Sequence, residues 1–444
     1  MSGTEKRGVR PAPAGASGLL RNIGPGVVVS GSVVGSGELL VTTRMGAEAG
    51  YVFLWGVILA CVVKFFLQVE LGRQCLLHGR STIQVLDQVA GFRLLGTSWI
   101  AWLCVIGYFS VMIALIGIYD AVTGLMITVV PGLPTNLWAV LIFLFMSVLL
   151  YRGLYDDLEK LVTGLVATFS LIVIGSVLFL QTTPYAVGGA ELASGFRLAL
   201  PAEGAFVALA VMGSVGATAV ELFMYPYWIS EKGYTDFVGK DDGSDAWRQR
   251  YRGWMRVLYV DALVCTVIAT AITCAYYLLG ASVLNQLNVV PQGMKVVEQV
   301  SLIFTETIGD WAYYLFMFGG FCTLFSTLVV FTASSGRITV DFLRQVGVGA
   351  LEDGARRLKT IRLLQIAFPL SWLGATLVLA EKPLALLLLG ANANALLLIP
   401  LAFGVLHLAM AARGQERMSM RSEIGLLLSI WLIISFTAVN YYLK

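Results

Sequence analysis

The sequence predicts an all-α polytopic membrane protein with eleven transmembrane helices, and two observations support that prediction. Of the 444 residues, 58% are hydrophobic and only 13% are charged, whereas a soluble domain averages about 25% charged residues. Apolar runs long enough to cross a bilayer also recur along the whole chain. The predicted spans lie near residues 25–43, 50–70, 98–123, 135–150, 161–182, 204–230, 255–280, 311–343, 362–380, 384–411 and 423–443.

The distribution of basic residues supports this count and sets the orientation. With the N-terminus inside, 23 of the 30 Lys and Arg residues fall in cytoplasmic segments and five in outer segments. This bias follows the positive-inside rule and predicts a cytoplasmic N-terminus and an extracytoplasmic C-terminus. The short tails are typical of a protein of a bacterial plasma (inner) membrane. Residues 1–20 are basic and rich in Pro, Ala and Gly, which predicts a disordered cytoplasmic tail.

Composition and motifs exclude several classes of function. The net charge of +3 is ordinary, so nucleic acid is not an expected partner. The sequence contains no HExxH, GxSxG, Walker or CxxC motif, so neither an enzyme nor a resident cofactor is expected. The expected partners are the lipid bilayer and a transported ion or small solute, with the chain acting as a monomer or weak oligomer.

An internal repeat indicates how the helices are arranged. The stretch "GSVVGSGE" (31–38) resembles "GSVGATAVE" (213–221), and five spans separate the helices that contain them. An odd offset inverts the polarity of the second copy, which is typical of transporters whose paired broken helices hold the substrate. We therefore predict a LeuT/APC-like inverted repeat of helices 1–5 (21–182) and 6–10 (204–411), with helices 1 and 6 broken, followed by an additional helix 11 (423–443).

The first copy of the repeat combines a helix-weakening triplet with a carboxylate. Gly35, Ser36 and Gly37 propagate a helix poorly, and Glu38 follows at once. Unwinding there frees backbone carbonyls that a bound cation can partner, while the carboxylate supplies charge. Glu221 closes the second copy in the same way. The alternative is that both acids are protonated or hydrogen-bonded and serve only the structure.

Five further stretches resemble the NRAMP family of proton-coupled divalent-metal transporters. They are "GPG" (24–26), "GAEAGYVFLW" (46–55), "YRGLYDDLEKLV" (151–162), "SSGRITVDFL" (334–343) and "LLLIPLAF" (396–403). The second of these, similar to the opening of the family's second helix, is the most specific. Because the matches occupy corresponding spans along most of the chain, the resemblance implies the same fold and a transport function.

The departures from the family fall on its metal site. The family's first-helix Asp-Pro-Gly-Asn aligns with Gly35–Glu38, so the metal-binding aspartate is absent and Glu38 takes the place of the asparagine. The sixth-helix Ala-x-x-Met-Pro-His-Asn falls on Ala217, Val220, Glu221, Leu222 and Phe223. Only Ala217, a backbone-carbonyl ligand in the family, is unchanged, and Val220 replaces the soft thioether ligand.

These replacements change the expected substrate. Two carboxylates with carbonyls and water suit hard cations such as Mg²⁺, Mn²⁺ or Ca²⁺ better than soft transition metals. The predicted metal ligands are Glu38, Glu221, Gly35 and Ala217. The full set of predicted substrate-binding residues is Glu38, Glu221, Gly35, Ser36, Gly37, Ala217, Thr218, Val220, Phe223 and Asn392.

Proton coupling is not supported by the sequence. The family uses histidines on helix 6 and acids on helix 3, but the two histidines here, His78 and His407, lie elsewhere. For a proton or charge pathway we predict Asp261, Asp120 and Lys64. Uncoupled entry driven by the membrane potential is the alternative, since two positive charges gain about 4.6 kcal/mol per 100 mV.

A second reading of the site remains open. In it, a transporter of the same fold has lost metal binding and carries an organic solute or another ion. Gly35 and Gly37 would then make room for a bulkier ligand, and only one of the two acids would be needed. Replacing each glutamate with glutamine discriminates the two readings, because a divalent site depends on both.

Overall fold

The computed structural model describes most of the chain. The described residues are 8–26, 35–151, 155–200, 205–292, 296–379, 383–411 and 419–442. Helices account for nearly all of the regular structure in these ranges, and one short antiparallel hairpin pairs Arg93 with Ser98.

The elements of the first half lie between residues 15 and 194. In chain order they are α1 (Gly15–Arg21), a π-helical segment (Gly37–Thr42), α2 (Thr43–Ala49), α3 (Leu54–Val62), α4 (Phe65–His78), α5 (Thr82–Leu86), β1 (Arg93–Leu94), β2 (Thr97–Ser98), α6 (Trp99–Val129), α7 (Thr135–Tyr151), α8 (Tyr155–Leu180) and α9 (Gly189–Ser194).

The second half begins with a helix in two parts. Its elements are α10 (Ala205–Ser214), α11 (Ala219–Lys232), α12 (Tyr234–Val238), α13 (Asp245–Leu279), a second π-helical segment (Gly280–Leu284), α14 (Val296–Ile308), α15 (Ala312–Gln345), a 3₁₀ turn (Gly349–Glu352), α16 (Gly354–Leu379), α17 (Pro383–Ala411) and α18 (Met420–Tyr442).

The pair α10 and α11 lies at the centre of the bundle. In its most apolar window 83% of the residues are buried, against 33% for α16 and for α18 at the periphery. Helix α17 packs along both α6 and α10, while α13 packs against α3, α4 and the first π-helical segment. The fold therefore brings predicted helices 1, 2, 6 and 7 together in the protein interior.

Several spans extend beyond their predicted ends. Predicted span 1 was to end near residue 43 but continues through α2 to Ala49, and span 7 begins at Asp245 rather than near 255. Hydropathy marks where lipid ends, whereas a capped helix continues into water: the Ser244 side chain accepts a hydrogen bond from the Trp247 N–H and caps α13. Helix α14 was not predicted as an element.

Among the described residues, eight helices are long and apolar enough to cross a membrane, and α7 and α8 contain shorter apolar stretches. Part of predicted span 1, residues 27–34, lies outside the described ranges. The polytopic helical class is therefore confirmed, while the count of eleven and the limits of the two repeats stay predictions.

The N-terminal segment differs from the predicted disordered tail. Residues 1–7 lie outside the described ranges, but residues 8–20 include most of α1. The Arg10 N–H donates to the Phe237 carbonyl (3.0 Å), and the Trp254 indole donates to the Arg10 carbonyl (3.1 Å). The Arg10 guanidinium also lies over the Phe237 ring. Backbone hydrogen bonds and an aromatic surface on α12 and α13 thus order a segment whose composition predicted disorder.

Candidate functional site

Helix 6 is interrupted where the second copy of the repeat predicted a break. Helix α10 ends at Ser214 and α11 begins at Ala219, with a bend between them. Gly216 adopts a left-handed conformation (φ +62°), which glycine enters without steric cost. Thr218 is extended and caps α11, because its Oγ1 accepts a hydrogen bond from the Glu221 N–H (3.4 Å). The clustered small residues therefore produce the predicted interruption.

The interruption places Glu221 in the first turn of α11. Its side chain is buried. The N-terminal end of a helix carries partial positive charge, which favours a carboxylate at this position. The first turn of α11 thus lowers the cost of holding an acid inside the bundle.

Helix 1 departs from α-helical geometry beside the predicted triplet. The segment from Gly37 to Thr42 is π-helical, and the Thr42 hydroxyl donates to the Gly37 carbonyl (3.2 Å). Ser36 itself has helical dihedral angles. The predicted unwinding of the triplet is therefore not observed, and the irregularity is a widened turn that begins at Gly37. Residues 31–34 of the motif lie outside the described ranges.

Glu38 lies at the start of this widened turn and is fully buried. Its carboxylate accepts hydrogen bonds from the Gly35 N–H (3.1 Å) and from the Thr273 hydroxyl on α13 (3.1 Å). Glu38 and Glu221 are close enough to interact electrostatically. The structure thus brings together the two acids that the sequence repeat paired.

Helix 1 and the interrupted helix 6 meet at Gly37. A Cβ on Gly37 would collide with the Ser214 carbonyl oxygen at the end of α10. A Cβ on Gly216 would lie 2.8 Å from the Cα of Cys61 on α3. The absent side chain of Gly37 therefore serves close backbone approach, and the expectation that it makes room for a bulky ligand is wrong for this glycine.

Lys64 lies between α3 and α4 and is fully buried. Its ammonium donates a hydrogen bond of 2.5 Å to the Val215 carbonyl, the first residue of the helix 6 interruption. It also interacts electrostatically with Glu221 and Glu38. The side chain thus points into the interior and does not reach the membrane interface.

The remaining predicted contact residues are buried around the same region. Ser36, Ala217, Val220 and Phe223 are all at most 6% exposed. Asn392, on α17, donates to the Leu388 carbonyl of its own helix (2.8 Å), and within the described part of the chain its side-chain oxygen has no hydrogen-bond partner.

The Asp261 side chain accepts hydrogen bonds from the backbone at the start of helix 1. Its carboxylate accepts hydrogen bonds from the Gly24 N–H (2.9 Å), the Gly26 N–H (2.7 Å) and the Tyr225 hydroxyl (2.8 Å). A Cβ on Gly26 would lie 2.7 Å from the Asp261 carbonyl oxygen, so glycine permits this approach. We call this arrangement the Asp261 clamp; it joins helix 1, α11 and α13.

Asp120 occupies a separate buried position on α6. Its carboxylate lies beside the Thr376 side chain of α16. Within the described ranges neither carboxylate oxygen has a hydrogen-bond partner. The predicted part of Asp120 in a charge pathway stays a prediction.

The potential metal ligands around Glu38 and Glu221 are mainly oxygen atoms. Among the described residues, no three His, Cys, Asp or Glu side chains gather in a way that could hold a metal ion. A cation here would be held by Glu38, Glu221 and backbone carbonyl oxygens, and water would have to complete the coordination shell. Such a set fits a hard cation that keeps part of its hydration. The carbonyl of the predicted ligand Gly35 already accepts a hydrogen bond from the Leu39 N–H (3.1 Å).

Thr273 is the site residue that sequence reasoning missed. Thr266, Thr270 and Thr273 follow one another at spacings of four and three residues, so they share one face of α13. A polar stripe on an otherwise apolar helix was the available signal. Its target, Glu38, depends on how α13 packs against helix 1.

Comparisons with known proteins identify one family and similar solved structures. A family model described as "Natural resistance-associated macrophage protein-like" (Nramp) matches residues 26–443. No curated protein matches the sequence. A mutant of the manganese transporter of Eremococcus coleocola has a similar structure, with a TM-score of 0.64 and 15% identity over 99% of this chain and 90% of that one.

Two other solved transporters share the fold. MhsT in complex with L-phenylalanine gives a TM-score of 0.59 at 12% identity, over 98% of this chain and 99% of that one. Mhp1, a nucleobase-cation-symport-1 family transporter, also gives 0.59 at 10% identity, over 99% of this chain and 96% of that one. These likenesses show a LeuT-like transporter fold.

Proposed function

Because the chain belongs to the Nramp family, whose members are transporters and not enzymes, we propose that it is a secondary transporter of a hard divalent cation. The cation would be Mg²⁺ or Mn²⁺, with Ca²⁺ as a third candidate, and would cross by alternating access. The resemblance on which the sequence prediction rested is thereby confirmed at the level of family.

One observation carries the proposal. Two carboxylates are buried and interact electrostatically: Glu38 lies in the widened turn of helix 1, and Glu221 follows the interruption of helix 6. Burying two acids inside a membrane protein is costly unless something compensates the charge, and such acids mark ion pathways. The oxygen-rich donor set and the apolar Val220 favour a hard cation over a soft one.

The driving force follows from the same site. Neither histidine lies on helix 6, and Asp261 is occupied by three hydrogen bonds. We therefore favour entry driven by the membrane potential, worth about 4.6 kcal/mol per 100 mV for a divalent ion. In a bacterial plasma membrane, whose cytoplasmic side is negative, this potential would draw the cation inward.

A second candidate is a transporter of the same fold for an organic or monovalent cation. Lys64 favours this candidate. One ammonium beside two carboxylates leaves a net charge of about −1, which one monovalent cation would neutralise. The close packing at Gly37 weighs against a bulky solute.

Uptake into proteoliposomes tests the proposal. Mn²⁺, Mg²⁺ and Ca²⁺ are each offered with and without a pH gradient to wild type, Glu38→Gln and Glu221→Gln. Both variants should lower cation affinity at least ~10-fold, since affinity follows the number of charged ligands. Glu191→Gln, on the exposed outer helix α9, is the matched control and should transport like wild type. Folded wild-type protein that takes up none of the three ions would refute the proposal.

A further inference from the structure

Lys64 is a positive charge built into the candidate site. Its ammonium is 0% exposed and donates to a backbone carbonyl at 2.5 Å. A lysine inside a membrane bundle is expensive and pairs with groups of the protein, so such a residue marks function by default. The two glutamates and the thiol of Cys61 are the ionisable groups that interact with it.

The carbonyl that Lys64 contacts lies at a helix end, where a cation is electrostatically favoured. Val215 directly follows the last residue of α10, where the C-terminal end of a helix carries partial negative charge. In transporters with broken helices, such ends and unwound carbonyls coordinate the transported or coupling cations. Lys64 therefore places a tethered cation where a free cation is electrostatically favoured.

The charges around the site lead to a role in the transport cycle. Glu38 and Glu221 together carry two negative charges, which a bound divalent ion neutralises. When that ion leaves, the carrier must return with both acids buried. We propose that Lys64 is a tethered counter-cation that offsets one of these two negative charges in the unloaded carrier and so permits its return across the membrane. This inference rests on the proposed function.

A second acceptor exists for the ammonium when a divalent ion binds. Gln68 lies one helical turn from Lys64 on the same face of α4. It is fully buried, and within the described residues neither polar atom of its side chain has a hydrogen-bond partner. An incoming ion would repel the ammonium from Val215, and the Gln68 amide oxygen can receive it.

Two transport modes separate the steps of this cycle. Net uptake into ion-free proteoliposomes requires return of the unloaded carrier, whereas counterflow between Mn²⁺-loaded vesicles and external tracer does not. Lys64→Met keeps the length of the side chain and removes its charge. It should lower net Mn²⁺ uptake at least about ten-fold and leave counterflow within about two-fold. Mn²⁺ should also bind about ten-fold more tightly, because a fixed repelling charge is gone.

Control variants make the result specific. Arg248→Met, which removes a charge at the cytoplasmic surface where Arg248 pairs with Asp245, should behave as wild type. Gln68→Leu should lower both net uptake and counterflow, since the displaced ammonium loses its second acceptor; unchanged counterflow would remove Gln68 from the cycle. Parallel loss of net uptake and counterflow in Lys64→Met, or no change in either, overturns the role of Lys64.

Two further outcomes are distinguishable. If Lys64→Met does not fold, Lys64→Met combined with Glu221→Gln restores the charge of the site and should recover monodisperse protein. Failure of that recovery contradicts charge balance. Wild type that neither binds nor exchanges Mn²⁺, Mg²⁺ or Ca²⁺ instead overturns the proposed function, whatever the Lys64 variants do.

Discussion

The Asp261 clamp allows the sharpest prediction about the start of helix 1. Oδ1 of Asp261 accepts from the Gly24 N–H, while Oδ2 accepts from the Gly26 N–H and the Tyr225 hydroxyl. In Asp261→Asn the amide oxygen can keep the two bonds of Oδ2. The amide nitrogen, a donor, then faces the donor of Gly24. One hydrogen bond to a charged group is lost and one buried N–H is left unsatisfied.

The size of the effect follows from that count. A hydrogen bond to a charged group contributes ~1.5–3 kcal/mol. We therefore expect release of the helix 1 entrance to become easier by about 2–3 kcal/mol, or roughly 30- to 150-fold in its equilibrium constant. The rest of the bundle does not depend on this contact, so the protein should remain folded.

Limited proteolysis measures this release. Arg21 ends α1, three residues before Gly24 of the clamp. Trypsin cleavage after Arg21 requires that the start of helix 1 separate from Asp261. Cleavage of Asp261→Asn in detergent should accelerate by the stated factor, with Asp242→Asn in the exposed loop before α13 as the control. Equal cleavage rates for Asp261→Asn and wild type would refute the role assigned to the clamp.

Two other substitutions test the contacts around Glu38. Gly37→Ala forces a methyl group onto the Ser214 carbonyl and should cost about 2 kcal/mol or more of stability, seen as a lower melting temperature, whereas Gly175→Ala, with open space at its Cβ, should melt like wild type. Thr273→Val removes a hydroxyl whose single proton is shared between Glu38 (3.1 Å) and the Ala269 carbonyl (2.7 Å). Loss of this contact, below the ~1.5–3 kcal/mol of a full hydrogen bond to a charged group, should lower the transport rate at saturating cation several-fold without unfolding the protein. A Thr273→Val rate equal to wild type would show that this bond does not position the carboxylate.

Part of the site could be predicted because its causes are local. Clustered small residues weaken a helix wherever they occur, so "GSVGATAVE" predicted the interruption before Glu221 correctly. The same reasoning identified Glu38 as the matching acid. The contacts of Lys64 and Thr273 could not be read in this way, because they depend on which helices pack together. The sequence indicated buried polar residues but not their partners.

The N-terminal segment and helix α14 show the complementary limit. Composition predicted disorder for residues 8–20, yet the Phe237 and Arg10 backbones pair there. Among the described residues, eight helices are long and apolar enough to span a membrane. Hydropathy did not predict α14, because that helix mixes polar and apolar residues. In both cases tertiary contacts decide the local structure.

Helix α13 carries two of the residues that contact helix 1. It holds Asp261 at the entrance of helix 1 and, twelve residues and about 18 Å further along, Thr273 at Glu38. Helix 1 is therefore hydrogen-bonded to one continuous helix, α13, at two positions along its length. A displacement of the Glu38 side chain would therefore be transmitted through a continuous helix to Asp261, because no loop separates Asp261 from Thr273.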